Sequence, residues 1–464
     1  LSENAEIDKV NNSIEITYTI NAGQRYIINK IETKVDPVLN KEIFLAMRGE
    51  YEELIGQYYS PFKIKKLLTS LDALIADQDL QFIEHSVSET IEDDKISIKI
   101  NIFEGSKELI ERIDIVGNTI TEEGVIRGDL LVDEGDPMNN LKLSKSISRL
   151  KARNIFAKVN SKVSEGSSSS LKKVKISVEE KPTGEISAGA GVGTTGGLFG
   201  FNISENNWLG RGVKLSTSIQ VDEESFRGGI DYANPNYNFS NNLLGFNISS
   251  EKTDKPDSGY ENSIYSAGIR TRFEQYKDIY LSPSLNLSHD DLRVMDNASA
   301  SLKKQAGSYT DLMFNYGLQS DKRDRAFQPT SGYSAFFGQG IPLFSDAAYL
   351  QNTLSFSNYT EITPNIIGAV KFFSTFVDGI NEDVRLSKRV TLPSSKMRGF
   401  ARNKIGPKDG NDHIGGNRAV ALNIEAALPN FLPQASNTDI ALFLDAGNVW
   451  GVDYDSSIDE SNKL

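Results

Sequence analysis

Two hydrophobic rhythms run along the chain, and they change over near Gly184. Before that point, stretches of helical spacing are framed by stretches of strict alternation. In "SPFKIKKLLTSLDALIAD", Ile64, Leu67, Leu68, Leu71, Leu74 and Ile75 share one face of a predicted helix. Ser60 and Pro61 suit its N-cap and first helical position. A second helix is predicted to start in the same way at Asp136-Pro137, with Leu143, Ile147 and Leu150 on its apolar face. The alternating segments "SIEITYTINAG", "KISIKINIFEG" and "KKVKISVEEKPTG" end at Gly23, Gly105 and Gly184, a repeat of about 80 residues. Each unit opens with a strand (Ile27 to Ile31; Ile110 to Val116), passes through helices and closes on an alternating strand. Such a unit buries a small core between helices and one face of a short sheet. The predicted organisation is the end of one α+β unit at 1–23, complete units at 24–105 and 106–184, and a different domain at 185–464.

From Gly184 onward only the period of two survives. "GVKLSTSIQV" sets Val213, Leu215, Thr217, Ile219 and Val221 against Lys214, Ser216, Ser218 and Gln220. "YSAGIRTRF" sets Tyr265, Ala267, Ile269 and Phe273 against Arg270 and Arg272. Thirteen such strands are predicted between Glu185 and Trp450, separated by Asn, Gly, Asp and Pro turns. A soluble β-sandwich would use strands of about 5–6 residues. Strands of about ten residues, with no helix between them, favour a transmembrane antiparallel β-barrel, which must close because an open sheet edge cannot sit in lipid.

Composition narrows the function. A net charge of −13 removes the Lys/Arg excess a nucleic-acid binder needs. There is no cysteine, so disulfides and thiolate metal sites are excluded, and His85, His289 and His413 are too scattered for a metal cluster. No run of 18 apolar residues exists, so no transmembrane helix is expected, which leaves a barrel open. The chain begins at Leu1 and ends in a polar stretch, so a fragment cut at both ends is expected. No cofactor is expected. "GVGTTG" (Gly191, Gly193, Gly196) matches a dinucleotide fingerprint, but the strand "GLFGFNIS" follows where a helix is required. No Ser-His-Asp or Cys-His order stands out, so no enzyme is expected. The first barrel strand, Ile186, Ala188, Gly189, Ala190, Gly191, Val192 and Gly193, is poor in side chains. It reads either as a weakly held strand at a seam that can separate or as relief of crowding inside the barrel.

One loop breaks the alternation, from about Gly379 to Gly416, longer than most loops without structure of their own. It carries Met397, Arg398, Gly399 and Phe400, then "GPKD" and Gly415-Gly416. Gly399 allows a tight turn that presents Arg398 and Phe400. An arginine inside a barrel needs a partner. In "RAVALNIEAALP", Glu425 falls opposite the lipid-like face of Val420, Leu422 and Ile424. In "DIALFLDAGNVW", Asp445 falls opposite Ile440, Leu442 and Leu444. Both acids are therefore expected in the lumen, bonded to Arg398 of an infolded loop. The competing reading is a solvated external arginine and two lumen acids facing water.

"MRGF" closely resembles the [V/I]RGF loop motif of the outer-membrane barrel-insertase superfamily, as do "IGPKD", "IGGNRAVALNIEAALP" and "FLDAGNVW". Met397 stands where that family more often has Val or Ile. "NWLGRG" (Asn207 to Gly212), "ANPNY" (Ala233 to Tyr237) and "DKRDRAFQPTSGY" (Asp321 to Tyr333) are similar to its earlier barrel signatures. The 80-residue units resemble POTRA domains, modules of three strands and two helices. The resemblance covers nearly the whole chain. It implies a barrel of 16 strands in the bacterial outer membrane, 13 of them present here, with POTRA repeats in the periplasm. The implied partners are unfolded outer-membrane proteins, periplasmic chaperones, the accessory lipoproteins of an assembly complex and outer-membrane lipid. The implied function is assembly and insertion of outer-membrane β-barrels, with the glycine-rich strand at a lateral seam. The alternatives are a two-partner secretion transporter of the same superfamily and a passive porin.

Overall fold

A computed structural model describes residues 3–10, 13–20, 24–78, 80, 82–105, 108–193, 196–223, 225–255, 259–363, 366–400, 404–409, 412–428 and 440–452. The outermost parts of the predicted 1–23 and 185–464 segments, residues 1–2, 21–23 and 453–464, lie outside these. The chain divides into two compact units.

The first unit comprises residues 1–117, 130–152 and 156–179. β1 (Glu3–Val10) and β2 (Ser13–Ile20) pair antiparallel. β3 (Ile27–Val35), β4 (Ile83–Glu92) and β5 (Lys95–Glu104) form a sheet in the order β3-β5-β4, with β3 parallel and β4 antiparallel to β5. α1 (Arg48–Leu54) and α2 (Pro61–Asp77) lie between β3 and β4 in the chain. The central strand β5 alternates inward through Ile96, Ile98, Ile100 and Ile102, none more than 2% exposed. These isoleucines meet Ile64, Leu67, Leu71 and Ile75 of α2, so the predicted helical stripe closes the core. Burying each such side chain contributes roughly 1.5–3 kcal/mol.

The same order recurs in β6 (Leu109–Val116), β7 (Phe156–Glu165) and β8 (Leu171–Glu180), paired as β6-β8-β7, with β6 parallel to β8. α3 (Glu123–Arg127) and α4 (Asn140–Ala152) intervene in the chain. α4 starts at Asn140 rather than at Asp136-Pro137, and Asn139 Oδ1 accepts the Lys142 N–H at 2.9 Å. Backbone pairing explains the shift. The Asp136 carbonyl accepts from Ile110 N–H, and Met138 N–H donates to the Glu108 carbonyl, both at 2.9 Å, which holds 136–138 extended beside β6.

The second unit comprises residues 118–129, 153–155 and 180–464. Its frame is one antiparallel sheet of thirteen strands in chain order. They are β9 (Gly184–Gly193), β10 (Gly196–Trp208), β11 (Val213–Asp222), β12 (Ser225–Tyr237), β13 (Asn242–Lys255), β14 (Tyr260–Tyr276), β15 (Ile279–Val294), β16 (Gly307–Asp321), β17 (Gly332–Ser345), β18 (Tyr349–Thr363), β19 (Ile366–Gly379), β22 (Arg418–Leu428) and β23 (Ile440–Trp450). A short helix, α5 (Ala300–Lys304), precedes β16. The small hairpin of β20 (Lys408–Asp409) and β21 (Asp412–His413) lies in the long loop before β22. Among the described residues, β9 and β23 are the two edges of this sheet.

The two faces of the sheet differ as the alternation requires. Ile230, Ile248, Ala267 and Leu287 line up across β12 to β15, and the three larger ones are 51%, 65% and 49% exposed. On the other face Arg270 pairs with Asp231 at 2.7 Å and Arg227 with Glu251 at 2.7 Å. An apolar outer face with charge pairs inside is the pattern of a wall facing lipid. No described helix is long and apolar enough to cross a membrane.

Candidate functional site

The loop between β19 and β22 lies against the inner face of the sheet. Val390, Leu392, Met397 and Ile405 are buried with Val377, Ala419, Ala421 and Val449. Ala419 and Ala421 are wholly covered, and their small side chains leave room for the loop. Gly447 on β23 serves the same end, since a Cβ there would sit 2.9 Å from Met397 Sδ and 2.8 Å from the Val420 carbonyl oxygen.

Past Met397 the chain turns at Gly399, whose φ of +84° suits a residue without Cβ. The turn aims Arg398 at the wall. Its Nε donates to Asp445 Oδ2 at 2.8 Å and its Nη2 to Oδ1 at 2.6 Å, a bidentate fork. Its backbone N–H adds a third bond to Oδ2 at 3.0 Å, and Nη1 reaches Glu425 Oε2 at 3.0 Å. The guanidinium lies 3.8 Å from the centre of the Phe443 ring, a cation–π contact. The expected acids thus meet the expected arginine.

Asn423 shares the parity of Glu425 on β22 and Phe443 that of Asp445 on β23, so both lie on this face, though parity alone gives them no role. Cross-strand pairing gives them one. Asn423 lies opposite Asp445, and Glu425 opposite Phe443. Asn423 Nδ2 donates to Asp445 Oδ1 and to the Lys396 carbonyl, both at 2.8 Å, so it ties loop to strand. Lys371 on β19 supplies Glu425 with a second cation at 3.1 Å. Asp445, at 3% side-chain exposure, is deeply covered, while Glu425 shares its charge between two partners. Phe400, 44% exposed, stays outside the cluster.

The glycine-rich strand β9 runs along β10 in continuous register from Gly184–Glu205 to Gly193–Gly196. Ile186 and Val192 are 72% and 91% exposed, and a Cβ added at Gly189 or Gly191 would meet nothing within 4 Å. Ser187, Ala188 and Ala190 are exposed as well.

A further cluster went unread in the sequence. Residues 118–129 and 153–155 belong to the barrel unit although they fall within the predicted 106–184 segment. Asn207 of "NWLGRG" donates to Thr121 Oγ1 at 2.9 Å, and Asn236 of "ANPNY" donates to the Gly128 carbonyl at 2.8 Å. Arg153, paired with Asp129, donates to the Gly212 carbonyl at 3.2 Å. Glu180 caps three successive N–H groups, those of Thr119, Ile120 and Thr121. Burial pushes its carboxyl up, but these bonds and the Thr119 hydroxyl outweigh that and bring it down to about 2. The turn motifs "NWLGRG" and "ANPNY" were a sequence signal for this cluster.

An antiparallel wall with an apolar outer face and an inward-folded arginine loop, following α+β repeats, defines a membrane barrel with amino-terminal modules. Residues 207–464 match the Omp85 superfamily domain and residues 109–181 the POTRA surface antigen repeat, and the chain belongs to the Omp85 superfamily. It is similar to the outer membrane protein assembly factor BamA of Neorickettsia risticii, 25% identical over 77% of this chain and 49% of that protein. It is also similar to BamA of Nitratidesulfovibrio vulgaris, 23% identical over 97% of this chain and 58% of the relative. It thus spans about half the length of these curated relatives. The crystal structure of BamA from Haemophilus ducreyi lacking POTRA domains 1–3 has a similar fold, with a TM-score of 0.63, 20% identity, and coverage of 92% of this chain and 88% of that one.

Proposed function

We propose that this chain carries the insertion machinery of an outer-membrane assembly factor, acting on other outer-membrane β-barrel proteins. Two whole POTRA modules, at 24–105 and 106–184, would stand in the periplasm, and a barrel from 185 onward would stand in the outer membrane. The observation that carries this reading is the coupling on one chain of two small sheets, β3-β5-β4 and β6-β8-β7, with β4 and β7 as outer strands that pair with no further strand among the described residues, to a lipid-facing barrel. Sheet edges capture extended peptides by main-chain hydrogen bonds with little sequence reading. A barrel edge then offers incoming strands partners for their backbone groups as they enter lipid. β9, exposed and rich in glycine and alanine, is the strand suited to part from a neighbour, and the Arg398 cluster on β22 and β23 braces the wall. Unfolded outer-membrane proteins are the clients, delivered by periplasmic chaperones and received with accessory lipoproteins. Client folding supplies the free energy, so no nucleotide or cofactor enters.

The test is reconstitution. The full-length protein in lipid vesicles should accelerate folding of a urea-unfolded outer-membrane barrel, read as the heat-modifiable band on a gel. Deleting the segment equivalent to 24–184 should abolish the acceleration. A client folding rate equal to that in empty vesicles, together with steady ion conductance, would replace this reading with a passive porin.

A further inference from the structure

The loop that carries Arg398 has a second ionic attachment, on a different part of the wall. Ahead of Met397, the side chain of Arg385 is 5% exposed and pairs with Asp311 of β16, which is wholly buried. Lys388 approaches the same carboxylate at 3.4 Å. Asp290 of β15, 2% exposed, lies 3.9 Å from Arg385 and accepts a hydrogen bond from the Ser387 hydroxyl. The Arg385 guanidinium covers the Tyr309 ring at 4.5 Å. Two carboxylates and two cations thus balance in a covered site. Separating such groups exposes charges that have lost their water, which is why removing one partner of a buried pair is far more costly than breaking a surface pair.

The place of this attachment gives it a consequence. β16 and β22 are separated in the sheet by β17, β18 and β19. The loop is therefore fastened at both ends of a span across the inner wall, and the stretch between is held by the buried Val390 and Leu392. A long segment fastened at one point keeps most of its conformational freedom, whereas one fastened at two is ordered between them.

We propose that Arg385 is a positioning residue: its buried pairing with β15 and β16 fixes where Met397 and Arg398 rest on β22 and β23. The loop then acts as a strut tying the middle of the sheet to its last strands. The inference concerns loop geometry and holds whether or not the chain inserts clients.

These 464 residues hold no cysteine, so once any thiol elsewhere in the full-length protein is replaced, one introduced thiol reports one site. Met397 is 2% exposed, and Met397→Cys in the full-length protein in detergent should react slowly with N-ethylmaleimide. Adding Arg385→Gln should raise that rate roughly tenfold or more, because the site then opens locally. Arg385→Lys should restore part of the protection. Ser249→Cys, on the inner wall at β13, serves as the control and should not change. An unchanged rate at position 397, or an equal rise at 249, would overturn the proposal. Should Arg385→Gln fail to fold, Ser387→Ala removes one bond to Asp290 and should raise the Met397→Cys rate by a smaller factor; no rise there would count equally against it.

Discussion

Removing Arg398 tests the central contact most directly. Arg398→Ala deletes two charge-assisted bonds to Asp445 and one to Glu425, and leaves the Asp445 carboxylate at 3% exposure facing only Asn423 and one backbone N–H. A hydrogen bond to a charged group is worth roughly 1.5–3 kcal/mol, and stranding one partner of a buried pair costs about 3–5 kcal/mol. Arg398 itself is 28% exposed, and water entering the vacated space lowers that cost. We expect a destabilisation of about 2–4 kcal/mol, of which about 1.5–3 kcal/mol is coupling to Asp445. Glu425 behaves differently, because Lys371 stays beside it at 3.1 Å after Arg398 is gone. Its coupling should be smaller, about 0.5–1 kcal/mol. Barrels of this size often unfold irreversibly, so the assay is the unfolding rate of the full-length protein in detergent, read by heat-modifiability at several temperatures. Two double-mutant cycles are needed, Arg398→Ala with Asp445→Asn and Arg398→Ala with Glu425→Gln. Additivity within about 0.5 kcal/mol in the first cycle, or a larger coupling in the second, would refute the assignment of Asp445 as the principal partner.

Gly399→Ala should destabilise the loop by about 1 kcal/mol through backbone strain alone, because the site has a φ of +84° and no neighbour within 4 Å of a Cβ; Gly399→Asn should cost less, and equal losses would count against the reason given. Gly447→Ala should accelerate unfolding by pressing on Met397 and the Val420 carbonyl, a loss of about 1–3 kcal/mol; trimming the flexible partner with Met397→Ala should recover only part, and full recovery would show the backbone contact to be unimportant. Glu180 yields a pH prediction. Its folded value of about 2 lies below the ordinary 4.5, so its contribution is complete above about pH 4.5 and is lost as the pH falls towards 2. Glu180→Gln should remove roughly 1–2 kcal/mol at neutral pH and flatten the acid limb of the stability curve between those values; an unchanged limb would reject the role of the three N–H groups.

The order of elements was legible because it is written locally. The α2 stripe, the alternating β5 isoleucines and the thirteen long strands follow from backbone periods of 3.6 and 2, which a sequence displays residue by residue. The start of α4 was misplaced because Asp136-Pro137 looks like a cap, while the backbone of 136–138 is engaged with residues 108–110. Local spacing cannot show that competition.

The sequence by itself favoured a lipid-facing antiparallel wall for the second half and placed Glu425 and Asp445 opposite its apolar face, while leaving open whether the arginine loop folds in beside them or stays in water. Side-chain direction in a strand depends only on position parity, so no partner need be known. Tertiary structure alone decided which polar and charged groups meet: Asn423 beside Asp445, Lys371 beside Glu425, Arg385 on Asp311, and Asp129 with Arg153. Those pairings depend on strand register and on where a long loop settles. Many acids and bases along one chain satisfy the same chemical preference, and only the packed backbone selects among them.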